Sequence, residues 1–507
     1  MSLDMPLVDT RFGQLRGASV AAEVDGFFGL PYATPPIGSL RWCPPTEPAA
    51  WSGVRDATQF GADPVQPQGL RVSRAAAQSE DCLYLNVWTP KRKREGGWPV
   101  LVWLCGGAFT TGSGAFVEED PVRLAARGAI VVSVNVRLNV FGFLAHPALT
   151  AETPRGASGN YGLMDLAMAL RWTRENIAGF GGDPTRITFF GESAGATMGL
   201  LLLASPEVDR PYDRAIFQSP GSFGALLALD EAEQHGLGMG EDLAELRDCP
   251  TSEIVARASC LPAVSPSLWL ARPLRPIVDG WMIRTDDPTG GGAFRPVPSI
   301  IGTNVDEGRF FEKRMGIATP DDLHHFAGRV FGDRADAVLD RYRIDHGDNV
   351  PALVSAIYGD RGFNFPIDRL VRRFAESGVK TYRYVYDYRH GSLSGPPTHG
   401  EEIGVLMDLL PHTVPGDAEM ADTMGQLWLS FAERGVPATT DMHWPNYEET
   451  RKAHLRLDWP PVAGSNWRAK QISSVETSLI DGRLDRPMKE PSKIGKFTNL
   501  AIDIDLP

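Results

Sequence analysis

The sequence predicts an α/β fold, a twisted and largely parallel sheet covered by helices. Three observations carry this expectation. Short runs rich in β-branched and aromatic residues alternate with longer runs of helical periodicity. Several of the short runs are apolar on both faces, as buried parallel strands are. The third is size: 507 residues, 43% hydrophobic and 22% charged, can bury a large core without disulfides.

In chain order, the strand candidates are WPVLVWL (98–104), AIVVSVNV (129–136), RITFFG (186–191), AIFQS (215–219), SIIGTN (299–304) and TYRYVYD (381–387). Each is bounded by Gly, Pro or Asn. Between them, helical patterns run over 160–180, 194–204 and 418–435, the last two reaching Ser or Gly stops. No internal repeat and no Pro- or Ser-rich linker divides the chain. Residues 1–507 therefore read as one domain. Two less regular regions, 228–297 and 305–375, are expected as insertions that cap the sheet.

Composition excludes several partner classes. The net charge is −13, and the longest basic run is KRKR at 91–94. Such a chain has no stripe for nucleic acid, and the basic run reads as a solvated loop after Pro90. No uncharged apolar stretch is long enough to span a bilayer, and the start, MSLDMPLVDTRFG, lacks a basic region followed by an apolar one. A cytoplasmic location without membrane insertion is the expectation. Five cysteines, Cys43, Cys82, Cys105, Cys249 and Cys260, form no disulfide framework and no zinc pattern.

Chemistry concentrates in RITFFGESAGATMGL (186–200). A strand enters Gly191-Glu192-Ser193-Ala194-Gly195, and a helix of small residues leaves it. A serine held on so tight a turn needs glycines two places before and after it, and the helix N-terminus behind it favours developing negative charge. A second glycine-rich segment, LVWLCGGAF (101–109), follows a strand in the same way. Acyl transfer at Ser193 generates an oxyanion, whose strongest stabiliser is a set of pre-aimed backbone N–H groups. Gly107, Ala108 and Ala194 are the candidate donors of this oxyanion hole.

With these segments in view, the chain resembles the type-B carboxylesterases, the family that includes the cholinesterases. FFGLPYATPPIGSLRW (27–42), EDCLYLNVWTP (80–90), CGGAF, FGGDPTRITFFGESAGA (180–196), GTNVDEG (302–308), THGEEIG (398–404) and WLSFAERGVP (428–437) resemble family blocks in the family's order. The resemblance implies an α/β-hydrolase fold and a Ser/Glu/His triad of Ser193, Glu307 and His399. Asp306, next to Glu307, is the rival acid. The resemblance also implies an ion pair of Arg41 with Glu80 and a serine, Ser219, close to the triad.

Three departures stand out. Cys105 replaces the family's usual histidine at the head of the oxyanion block, which puts the bracing of that loop in question. Pro64 stands where secreted relatives place a cysteine that pairs with Cys82, whereas Cys249 and Cys260 fall in a region like another family disulfide loop. Asn139 and Pro220 replace glycines, so a different local backbone is expected.

The function expected is a serine carboxylic-ester hydrolase working through an acyl-enzyme on small to medium, largely apolar esters. Trp103, Phe109, Phe141, Phe143, Phe310, Phe311, Phe363 and Phe365 are candidates for lining the pocket or for core packing. No cofactor or metal is implied, and the partner is a small-molecule ester. Two alternatives are an acyltransferase or lactone-forming enzyme with the same nucleophile, and a non-catalytic cholinesterase-like binding protein. A histidine base predicts that kcat/KM falls below roughly pH 6 to 7.

Overall fold

A computed structural model describes residues 5–480 apart from 70, 222–225, 263–273, 288–293 and 443, with the side chains of 479 and 480 also left aside. Its centre is a mixed sheet of eleven strands. In chain order these are β1 (Ala18–Ala21), β2 (Val24–Pro31), β3 (Tyr84–Pro90), β4 (Trp98–Leu104), β5 (Ile130–Val134), β6 (Gly182–Glu192), β7 (Arg214–Gln218), β8 (Ser299–Asn304), β9 (Thr381–Tyr386), β10 (Ala453–Leu457) and β11 (Val462–Ser465). Their spatial order is β1-β2-β3-β5-β4-β6-β7-β8-β9-β10-β11. From β5 to β10 every pairing is parallel, while β1, β2, β3 and β11 join antiparallel at the flanks.

Burial on both faces explains the doubly apolar strands. Along β4, Val100, Val102 and Leu104 enter one core, while Leu101, Trp103 and the following Cys105 enter the other. Helices α1 (Tyr161–Asn176) and α2 (Ser193–Ala204) pack in the first core. Helix α3 (Asp417–Arg434) covers the opposite face with Met420, Met424, Leu427, Trp428 and Phe431. Every residue of α2 after Ser193 is buried, so this helix is apolar all round and gains its stability from packing.

The strand expectations for 98–104 and 299–304 agree residue for residue, and the others agree to within a few residues. The antiparallel flank was not anticipated. Its strands are short or interrupted by polar residues, and a separate three-stranded sheet of Leu7–Thr10, Gly13–Arg16 and Val54–Asp56 lies beside it. The KRKR run is exposed, as expected, with Arg94 forked onto Glu433 and Arg92 over the Trp98 ring.

The region 305–375 is almost wholly helical and has its own satellite core around Phe326, Leu339, Val354, Ile357 and Phe365. Of 228–297, the described part holds three α-helices, Leu229–Gly236, Leu243–Asp248 and Thr251–Ser259, while 263–273 and 288–293 lie outside the described residues. Among the described residues no helix is long and apolar enough to cross a membrane.

Candidate active site

The sheet order brings the sequence motifs together. Strand β4 lies between β5 and β6, and its register sets Leu104 opposite Gly191, so Cys105-Gly106-Gly107 and Ser193 leave the sheet side by side at the carboxyl ends of neighbouring strands. In parallel sheets this is where ligands bind, at the place where strand order reverses. Strands β8 and β9 are likewise neighbours, with Asn304 opposite Tyr386. Their following loops carry Glu307 and His399 toward the same end.

Ser193 has φ of 51°, the left-handed conformation of a strained elbow, and it begins α2. The flanking glycines are required by contact. A Cβ on Gly195 would collide with the Leu104 carbonyl and sit 2.6 Å from that of Cys105, and one on Gly191 would lie 3.0 Å from the Ala196 nitrogen. His399 Nε2 lies 2.8 Å from Ser193 Oγ, and its Nδ1 lies 2.6 Å from Glu307 Oε2. The other oxygen of Glu307 accepts from Ser219 Oγ at 2.6 Å and from the Asn304 backbone N–H at 2.7 Å. Thus a buried carboxylate has its lone pairs satisfied and one oxygen left for the imidazole. The rival Asp306 turns elsewhere: its Oδ1 accepts from Ser355 Oγ at 2.7 Å and its Oδ2 lies 3.8 Å from Arg309.

Ala194 occupies the first turn of α2, where a helix leaves its backbone N–H groups without intrahelical acceptors. Across from it, Gly107, Ala108 and Phe109 all have positive φ, at 125°, 58° and 65°. A Cβ on Gly107 would strike Thr111, and one on Gly106 would strike the Glu192 carboxylate. The Gly107 carbonyl accepts from the backbone N–H groups of Thr110 and Thr111, each at 3.0 Å. Gln66 grips Gly112 at both ends, accepting its N–H and donating to its carbonyl at 2.9 Å each, and the Asn139 N–H donates to the Phe109 carbonyl. The loop is therefore braced without an imidazole at position 105. Burial pushes the Cys105 thiol well above its ordinary range, so it is a neutral packing group beside a small pocket that Phe109, Ala194 and Met198 also line.

Two further carboxyls, Glu192 and Glu402, act on the histidine. Glu192 Oε1 lies 3.0 Å from His399 Nε2, outside hydrogen-bonding geometry. Burial pushes Glu192 up to about 8 against the pull of His399. Glu402 accepts from Asn304 Nδ2 at 2.5 Å and Gln218 Nε2 at 3.2 Å, and burial, followed by the nearby Glu307, pushes it up to about 7. For His399 itself, burial favours the neutral ring, but Glu192 and then Glu307 outweigh it and carry the pKa up to about 9. The signal for Glu192 was its place directly before Ser193, which by itself does not distinguish a partner from an ordinary turn carboxylate.

Phe310, Phe311 and Phe363 stand around the imidazole with ring centroids 5.8, 5.1 and 4.7 Å away. Phe109 meets Phe143 edge-on at 5.6 Å. The remaining aromatic candidates divide off as core: Phe365 belongs to the satellite cluster, Phe141 is buried, and Trp103 packs on Phe190 with its N–H on Glu119.

Arg41 forks onto Glu80 at 2.7 Å through both Nε and Nη2, and it also holds the carbonyls of Leu246 and Cys249. All five cysteines are free, with Cys249 buried and Cys260 exposed, so that pair forms no bridge. At Asn139 φ is 44°, a left-handed conformation that asparagine tolerates, and its Nδ2 is anchored on the Val65 carbonyl at 2.7 Å.

With this geometry in place, comparison with known proteins is decisive about ancestry. The model of the Carboxylesterase family matches residues 4–475. The chain belongs to that family. This carboxylesterase is 42% identical to the fumonisin B1 esterase of Sphingopyxis macrogoltabida over 87% of its own length and 84% of the relative's. It is also 32% identical to the para-nitrobenzyl esterase of Bacillus subtilis (strain 168), covering 89% and 94%, and 31% identical to the acetylcholinesterase of Bungarus fasciatus, covering 90% and 83%. Membership and these relatives make the protein a carboxylic-ester hydrolase with the α/β-hydrolase fold.

Proposed function

We propose that this esterase works through an acyl-enzyme formed on Ser193, with His399 as general base and acid, Glu307 as the carboxylate that orients it, and the N–H groups of Gly107, Ala108 and Ala194 as the oxyanion hole. The observation that carries the reading is the unbroken line from Ser193 Oγ through the two ring nitrogens to Glu307, at 2.8 and 2.6 Å. Neutral His399 takes the serine proton at Nε2 as Oγ attacks the ester carbonyl. Glu307 stabilises the imidazolium that results. The proton then passes to the departing alcohol, and water activated by the same nitrogen releases the acid. Phe310, Phe311 and Phe363 favour small to medium esters that are apolar near the scissile bond.

Turnover of p-nitrophenyl acetate together with its loss in Ser193→Ala tests the assignment, and mass spectrometry after an organophosphate identifies the modified residue. Equal rates in the two proteins, or label elsewhere, would overturn it. Product analysis with competing alcohols separates hydrolysis from transfer, since both share the acyl-enzyme.

A further inference from the structure

Within the helical region after Glu307, Arg314 stands close to the candidate site. Arg314 is half-buried, its guanidinium carbon 4.3 Å from the centre of the Phe310 ring. Among the described residues its hydrogen bond runs from Nη1 to the Phe310 carbonyl at 2.7 Å. Among the described residues no carboxylate lies within ion-pair distance of it. Burial lowers its pKa and no neighbouring carboxylate raises it back, although a guanidinium remains charged at any working pH. Its neighbour Arg309 differs, held by Asp306, Glu401 and the carbonyls of Ser394 and Pro396.

Position makes this cation relevant to the substrate. The ring under the guanidinium is the one whose centroid lies 5.8 Å from that of His399, so the guanidinium carbon is at most about 10 Å from the imidazole centre. A guanidinium has five N–H donors in a planar fork that matches a carboxylate, and among the described residues one of these has a protein acceptor. Of the acids around His399, Glu307 is engaged by the imidazole, Ser219 and the Asn304 N–H, while burial pushes Glu192 and Glu402 up to about 8 and about 7, which weakens their opposition to an entering anion near neutral pH.

We propose that Arg314 is a carboxylate-binding subsite of the ester pocket, which therefore prefers esters carrying an anionic group some way from the bond presented to Ser193. The inference rests on the reading of Ser193 as nucleophile. The apolar stem of such a substrate lies along Phe310 and its carboxylate meets the guanidinium. At roughly 1.2 Å per bond, the separation corresponds to roughly four to eight bonds from the ester carbonyl.

The test uses matched pairs, the p-nitrophenyl half-esters of succinic, adipic and suberic acids and the same compounds with the free carboxyl capped as a methyl ester, at pH 7.5. The wild-type ratio of kcat/KM for acid over capped ester is expected to rise with chain length. In Arg314→Gln, and in Arg314→Met, whose stem still covers Phe310, that ratio falls about tenfold or more for the longer pairs, the scale of one charge-assisted hydrogen bond. Arg314→Lys keeps part of the preference. A ratio unchanged by substitution, or acid and capped ester declining together, would show that Arg314 merely supports Phe310 and would overturn the proposal. Ser193→Ala on the capped esters reads the nucleophile separately: its loss of turnover upholds that assignment whatever Arg314 does.

Discussion

Replacing Glu192 by Gln removes the carboxylate nearest to the reacting nitrogen while preserving its shape. Opposite charges 3.0 Å apart attract by about 5 kcal/mol at an effective dielectric of 20, or about four pKa units. Two effects reduce this figure. Burial of His399 favours the neutral ring, and Glu192 itself takes up a proton below about 8, where its attraction fades. The acid limb of kcat/KM in the wild type therefore falls between about 8 and 9, at an apparent value that belongs to the coupled pair. This is higher than an ordinary imidazole would give. Without the Glu192 charge the imidazolium is less stabilised, the ring loses its proton at lower pH, and the limb moves down by about one unit or more. Initial rates by pH-stat on a neutral ester between pH 5.5 and 10 measure it directly. The ratio of variant to wild-type activity should rise as pH falls. A limb that stays in place or moves upward would refute the reasoning.

Glu307→Gln should lower kcat by roughly a thousandfold or more, the scale seen when an orienting carboxylate is lost, whereas Asp306→Asn should change it only a few-fold; single-turnover kinetics on both compares the two acids. Cys105→Ala should retain most activity and leave organophosphate labelling of Ser193 intact, because the thiol is buried and neutral; complete inactivation of a folded Cys105→Ala protein would contradict its packing role. Asp165, fully buried, receives Arg137 at 2.6 and 2.8 Å and also its backbone N–H at 3.0 Å. Asp165→Ala should cost about 3–5 kcal/mol by stranding a buried guanidinium, read as a lower urea midpoint, and Arg137→Met in the same chain should recover part of it.

Much of the fold was legible where local chemistry and burial agree. Strand β4 is a continuous apolar run because both its faces are covered, and that covering leaves a mark in composition. The antiparallel flank left a weaker mark. In β1, Ala18–Ala21 is half-exposed, and in β3 the buried Asn86 is kept by bonds to Ser133 Oγ and the Gly29 N–H that no local pattern announces. At the site, the glycines around Ser193 were readable because backbone sterics allow little else there. Glu307 and His399 were found through family blocks, since a loop carboxylate and a loop histidine have no intrinsic signature. Glu192 and Glu402 needed the fold, because proximity to His399 across more than two hundred residues, or across a buried cluster, is not written in spacing.

The sequence by itself determined the strand and helix alternation, the strained elbow at Ser193 and the bare backbone at Gly106-Gly107, all consequences of short-range sterics and burial. Tertiary structure alone decided that Glu192 and Glu402 bear on the imidazole, how Gln66 and Asn139 brace the loop after Cys105, and that Arg314 stands over Phe310 with no carboxylate of the described residues at ion-pair distance. Those outcomes depend on electrostatics and hydrogen bonds between groups far apart in the chain, whose distances exist only once the sheet has set its order.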